Sequence, residues 1–295
     1  MDARDTKREM WRSAIIEPPG KASEMPLERV RLVVCSEDRD VAIFPSPSRY
    51  DVDLPEEFNN VHSVELSTSM FRFSAYQINV YNNQLRITLP DPTADDPSHR
   101  RIAMAALPIR NYASGTDLAA AVEAGLNAAM AAAGVAGAPP FVVAYDPTYE
   151  KFMFTCATAF AFDFRNPAGQ CHSVLGFGAT SYTPTQVMGQ WAMTGAFRAD
   201  LDHYNRFVVL RADAIDSLLA THNPLSRSFA ILTRTKLEAG QDDATAVHEF
   251  LPPVTKLNRL RVTVVDRFGN QYPAENVDHV FELRLKHLQY ARKNW

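Results

Sequence analysis

Two short clusters bring together groups of the kind that do chemistry. Cys171 and His172 set a thiol beside an imidazole, a pairing that generates a thiolate nucleophile when the two side chains face each other. Neighbours in an extended chain point to opposite sides, so this pair is expected in an ordinary loop. Asp200, Asp202 and His203, in Asp-Leu-Asp-His, put two carboxylates two residues apart. On a strand such residues share a face and could hold a cation; in a loop they are simply solvated. The eight histidines are otherwise scattered, with no pair at the spacing that sets two imidazoles on one metal. The P-loop, the dinucleotide-binding glycine motif, the His-Glu-x-x-His zinc motif and the Gly-x-Ser-x-Gly elbow are all missing. The chain therefore reads as a protein without catalytic residues, metal or cofactor, and not as an enzyme.

Aromatic side chains form the other conspicuous set. Phe152, Phe154, Phe160, Phe162 and Phe164 recur at spacing two, which predicts the buried face of a sandwich in preference to a platform for bases or sugars. Trp191 lies in a long uncharged stretch, 166–197, and is a candidate anchor for a protein partner, or a cover for its own core.

The elements that position these residues are mostly strands. Alternating or β-branched runs occupy 29–35, 50–54, 61–67, 76–81, 84–89, 102–108, 141–146, 149–156, 159–164, 207–212, 228–234, 259–266 and 279–286. Asn82-Asn83, Asp146-Pro147-Thr148 and Arg267–Asn270 supply turn chemistry between them. One segment differs: Leu118, Val122, Leu126 and Met130 recur every four residues in an Ala-rich run, which predicts a helix over 116–133 that Ser114 or Thr116 caps and Gly134 ends. Many short strands with one inserted helix indicate an antiparallel β-sandwich of jelly-roll type, and parallel α/β architectures are excluded for want of helices between strands. The segments 90–101, which holds Asp91, Asp95 and Asp96, 166–197 and 236–256 read as loops.

The 295 residues carry 30 Lys and Arg against 34 Asp and Glu, a net charge of −4. Wrapping naked nucleic acid needs a clear basic excess, so no direct nucleic-acid contact is expected. Three cysteines without a paired spacing argue against a disulfide framework and for a reducing compartment. No stretch is apolar enough over about 20 residues to span a membrane, and the charged N-terminal residues do not read as a secretory signal. The expected organisation is an N-terminal arm (1–30), a sandwich domain (31–286) and a basic C-terminal tail (287–295). Pro18-Pro19-Gly20 breaks any helix begun near Asp5. The arm is then either a tail or a docking segment whose Trp11, Ile15 and Ile16, together with Trp295 at the other end, would contact a neighbouring protein.

The segment 39–89 resembles the opening of minor capsid proteins of nucleocytoplasmic large DNA viruses, the giant viruses. The residues that carry the resemblance are Pro45 and Pro47, Tyr50, Leu54-Pro55, Phe58–Val61, Ser63–Leu66, Ile78-Asn79 and Asn82-Asn83. In the same order follow Leu107-Pro108, Tyr112, the Ala-rich helix, Phe141–Asp146, Lys151–Thr155, Leu175–Phe177, Leu257–Leu260, Gly269-Asn270 and His279–Leu283. The likeness covers 39–286. It departs at Phe71-Arg72, where the family has Phe or Leu before Pro, and in the length of the helix. The resemblance implies a structural minor capsid (cement) protein located in the virion capsid and assembled in the host cell's cytoplasm. Its partners would be the major capsid protein, other minor capsid proteins and further copies of itself. A vertex (penton) protein or a fibre-type carbohydrate-binding sandwich is the alternative.

Overall fold

The computed structural model describes residues 27–91, 100–135, 140–202, 204–213, 215, 226–234 and 246–288. In them the chain is mainly β, and every pairing between its strands is antiparallel. The strands are β1 (Leu27–Cys35), β2 (Arg49–Met70), β3 (Gln84–Pro90), β4 (Arg100–Ala106), β5 (Val142–Asp146), β6 (Lys151–Cys156) and β7 (Ala161–Asp163). They continue with β8 (Ser181–Tyr182), β9 (Thr185–Val187), β10 (Gln190–Thr194), β11 (Phe207–Ala212), β12 (Ala230–Thr233), β13 (Val247–Val265) and β14 (Val280–Leu288). The helix α1 spans Gly115–Ala132. Among the described residues no helix is long and apolar enough to cross a membrane.

The sequence predicts one sandwich over 31–286, but the buried apolar residues gather into two clusters. One draws on 32–75 and 204–285, the other on 78–193. The second module is thus inserted into the first between β2 and β11.

The first module is a single sheet, ordered β1-β14-β2-β13-β11-β12, that folds over on itself. Tyr50, beside the start of β2, and Met70, its last residue, would lie about 66 Å apart along a straight strand. Yet Val280 pairs with Met70, and the Tyr50 hydroxyl meets Nε2 of its neighbour His279 at 3.1 Å. Two irregularities make the bend. Asn60 has φ 48°, a left-handed conformation that Asn tolerates. Opposite it, 250–253 of β13 face His62 alone, because the ladder jumps from Glu249↔Ser63 to Val254↔Val61. Pro252 and Pro253 have no N–H to give to a ladder, so the strand bulges there. The result is a jelly-roll-like sandwich of two four-stranded layers: β1, β14 and the adjoining halves of β2 and β13 against the remaining halves, β11 and β12. The two strands expected at 50–54 and 61–67 are therefore one bent strand.

The inserted module is a sandwich of sheets β5-β6-β10-β9 and β4-β3-β7-β8. All five phenylalanines singled out from their spacing are buried in it. Helix α1 closes one open side. Its N-cap Ser114 accepts from the Asp117 N–H at 3.1 Å, Gly134 follows its end at φ 72°, and Leu118, Val122, Leu126 and Met130 face inward. Glu123 Oε2 accepts from Val143 N at 2.9 Å, and Asn127 exchanges two hydrogen bonds with the backbone of Phe141. Side chains of the helix thereby occupy the free edge of the β5 strand.

Two further expectations are corrected. Residues 76–81 are not a strand; they contribute one bridge, Ile78 to Arg110. Asn82 Oδ1 accepts from Asn79 N and Asn79 Oδ1 from Tyr81 N, so amide side chains replace a ladder with a turn. The uncharged stretch 166–197 is not all loop, since it supplies β8, β9 and β10, and β13 begins at Val247 within the expected loop 236–256. These strands are short, or broken by Pro, which hides their alternation.

His279 gives the fold a pH dependence. It is buried, its Nδ1 has no partner among the described residues, and burial pushes its imidazole down to about 4, against the opposing pull of Asp278 and with a smaller push from Arg39. The unfolded chain takes up a proton below about 6.5 that the folded one refuses, so this contribution to stability is intact above that pH and lost on descending toward 4. His279→Gln should flatten the fall of the melting temperature between pH 6.5 and 4, by an amount worth up to about 3 kcal/mol; an unchanged profile would remove His279 as its cause.

Candidate interaction surface

The clusters that suggested chemistry are dispersed by the fold. Cys171 is wholly buried, and burial pushes its thiol up to about 12; a thiol so hard to ionise is no nucleophile. His172 lies half-buried with its ring tilted against Phe164. Asp200 pairs with Arg206 at 2.9 Å and with Arg267 at 4.0 Å, and Asp202 with Arg234 at 3.0 Å. Each carboxylate faces guanidinium groups. Among the described residues no three His, Cys, Asp or Glu side chains gather as metal ligands. His203, Asp95, Asp96, Trp11, Ile15, Ile16 and Trp295 lie outside the described residues. Trp191, on β10, is half-buried against its own core.

The surfaces of the two modules differ in kind. On the first, cross-strand ion pairs cover the sheet: Arg284 with Glu65, Arg261 with Asp51, Arg259 with Asp53 and Arg31 with Glu282. The first three join residues directly opposite in register, where opposite charges each contribute a few tenths of a kcal/mol to about 1 kcal/mol. The Arg261 guanidinium holds the Asp51 carboxyl below its ordinary range, and Arg31 does the same for Glu282.

Among the described residues, the outward face of β5-β6-β10-β9 has no such ion pairs. Its central rows read Val142–Thr155–Ala192–Thr185 and Ala144–Met153–Thr194, small or apolar, with the charged pair of positions Asp146 and Lys151 at one margin, while Val143, Phe154 and Met193 fill the inward rows. Val142, Met153 and Val187 are exposed. The turn after β9 places Met188 and Gly189 at φ 48° and 80°, the two-residue hairpin geometry that usually takes Asn-Gly. Here it thrusts Met188 fully into solvent. An exposed apolar patch of this sort marks a contact surface.

The junction between the modules is a hydrogen-bonded clasp. Tyr272 is fully buried, and its hydroxyl accepts from the N–H groups of Ser74 and Ala75, at 2.8 and 2.9 Å. It donates to Asn205 Oδ1 at 2.8 Å, and Asn205 Nδ2 donates to Ala75 O at 2.9 Å. Ser74 Oγ donates to Ala274 O at 2.7 Å. One phenol thus ties the chain leaving the first module to the chain returning to it, using both its acceptor lone pairs and its proton. Burial pushes the Tyr272 hydroxyl up to about 12. Neither Tyr272 nor Asn205 belongs to a motif, so sequence reasoning missed both; the only signal is a Tyr placed shortly after the Gly269-Asn270 turn.

The model of a family of unknown function (DUF5901) matches residues 27–240, from the first residue of β1 through the whole inserted module. The chain belongs to that family. No curated protein matches it. Among solved structures it is similar to the mavirus penton protein, at 10% identity and a TM-score of 0.40, over 89% of this chain and 99% of that one. It is also similar to a chain in the structure of the Sputnik virophage, at 12% identity and a TM-score of 0.36 over the same shares.

Tyr272→Phe should lower unfolding stability by about 2–4 kcal/mol, because it strands two buried N–H groups and an amide oxygen. Chemical denaturation measures this, and limited proteolysis should find new cuts within 71–76 and at 204–206. Wild-type stability in the variant would show that the clasp does not hold the junction.

Proposed function

We propose that this protein is a non-enzymatic structural component of a virion, a minor capsid protein that joins or stabilises neighbouring capsomers of the major capsid protein. What carries the reading is the contrast between an ion-paired first module and an inserted module that presents a sheet face whose central rows are uncharged and partly apolar, tipped by Met188. A face whose centre has small side chains and no charge to desolvate suits contact with another protein, and exposed apolar anchors at its rim supply the energy. The resemblance of 39–286 to giant-virus minor capsid proteins supports the same role. Several of its motif residues, Tyr50, Phe58, Val61, Val64, Leu66, Ile78, Asn79 and Asn82, are buried and build the bend of β2 and the first turn of the insertion. In this reading Trp11, Ile15, Ile16 and Trp295 are further anchors on the arms, and self-association is a second use of the same surfaces.

Quantitative mass spectrometry of purified virions tests the role: a fixed copy ratio to the major capsid protein, kept after the genome and internal membrane are stripped, is the expected result. A trace amount would refute it. Charging the face with Val142→Asp and Met153→Lys should change unfolding stability by no more than about 1 kcal/mol while lowering incorporation into capsids at least tenfold. Incorporation at the wild-type level would take this face out of the contact.

A further inference from the structure

Beside the clasp lies an open cavity of about 580 Å³, within the roughly 300–1,000 Å³ typical of small-molecule sites and at the kind of module boundary where such sites gather. Its walls come from both modules: Arg72 and Phe73 on the chain leaving the first, Gln77 and Asn111 at the base of the second, and Asp202 and Arg234 where the chain returns.

The hydrogen-bonding state of these side chains says what the cavity presents. Gln77 Oε1 accepts from Tyr112 N at 2.8 Å, and Asn111 Oδ1 accepts from Gln77 N at 3.0 Å. Both amide oxygens are spent on backbone N–H groups, which fixes the two side chains so that each offers its NH2 as donor. Arg72 is exposed and forms no ion pair or hydrogen bond among the described residues, leaving a whole guanidinium fork available. Asp202 and Arg234 neutralise each other at 3.0 Å, and a carboxylate held by one oxygen keeps acceptor capacity on the other. Phe73 is half-buried, edge-on to Phe71 and Tyr272, so its ring is held in place and partly open.

We propose that this cavity binds an acidic saccharide, a pyranose that carries a carboxylate. The unpaired guanidinium matches a carboxylate bidentately. Two fixed amide donors and one carboxylate acceptor match ring hydroxyls, which both give and take hydrogen bonds. The aromatic ring gives the apolar C–H face of a pyranose a surface to rest on. One uncompensated positive charge beside a neutralised pair favours an acidic over a neutral sugar. The site is independent of the lattice role proposed above, and a ligand there would touch both modules at once.

Saturation-transfer NMR and calorimetry on the full chain, with N-acetylneuraminic acid and glucuronic acid as probes and methyl galactoside as the neutral control, test the assignment. At least one acidic sugar should bind, and the neutral glycoside should bind at least tenfold more weakly. Arg72→Ala removes an exposed group that has no other partner among the described residues. Asn111→Asp keeps the oxygen that accepts from Gln77 N but replaces the donor with a negative charge. Each variant should melt like wild type and lose about tenfold or more in affinity, the size of one charge-assisted hydrogen bond. No binding of either acid at millimolar concentration, equal binding of the neutral glycoside, or full affinity in both variants would each overturn the proposal.

Discussion

One phenolic oxygen, that of Tyr272, holds the two halves of the molecule in register. The inserted module enters through Ser74 and Ala75 and returns through Asn205, and all three converge on that hydroxyl. A buried hydroxyl with three partners is directional in a way that apolar packing is not: it fixes where two backbone segments cross. The cavity exists because the clasp sets the base of one module against the flank of the other without closing the space beside it. The aromatic group around it, Phe71 and Phe73 against Tyr272, keeps water from competing for the same hydrogen bonds.

The edges and faces of the sheets follow a division of labour. At the β5 edge, which could recruit a stray strand, the side chains of Glu123 and Asn127 occupy the backbone positions. Where a face meets solvent in the first module, opposed charges sit across the ladder. Exposed pairs of this sort add little to stability individually, but they make the face a poor partner for anything apolar. Among the described residues, the outward face of β5-β6-β10-β9 in the inserted module has central rows free of charge, so the two modules present surfaces of different character.

Much of this was legible in the residue pattern. Period-two alternation found most of the strands, the four-residue spacing of Leu118, Val122, Leu126 and Met130 found the helix, and the spaced phenylalanines found the core of the insertion. The pattern failed where long-range geometry decided the outcome. Nothing local reveals that β2 folds back, since the bend depends on Asn60 meeting the Pro252-Pro253 bulge from far along the chain. The acidic Asp200 and Asp202 look like a cation site until Arg206, Arg267 and Arg234 arrive from elsewhere. That Arg72 has no partner among the described residues is equally invisible, because a sequence does not say which charges remain without partners.

The pairing of β2 with β13 and β14 also imposes an order of events on the ribosome. The inserted module is one contiguous stretch and has every partner it needs before synthesis reaches Tyr204. β2 must wait until the chain has run on from Met70 to Val247 before its first neighbour emerges. During that interval a long, half-apolar strand has no ladder, and the finished insertion stands between it and the growing end. Assembly of this protein is therefore a race between late closure of the outer sandwich and capture of its earliest strand by something else.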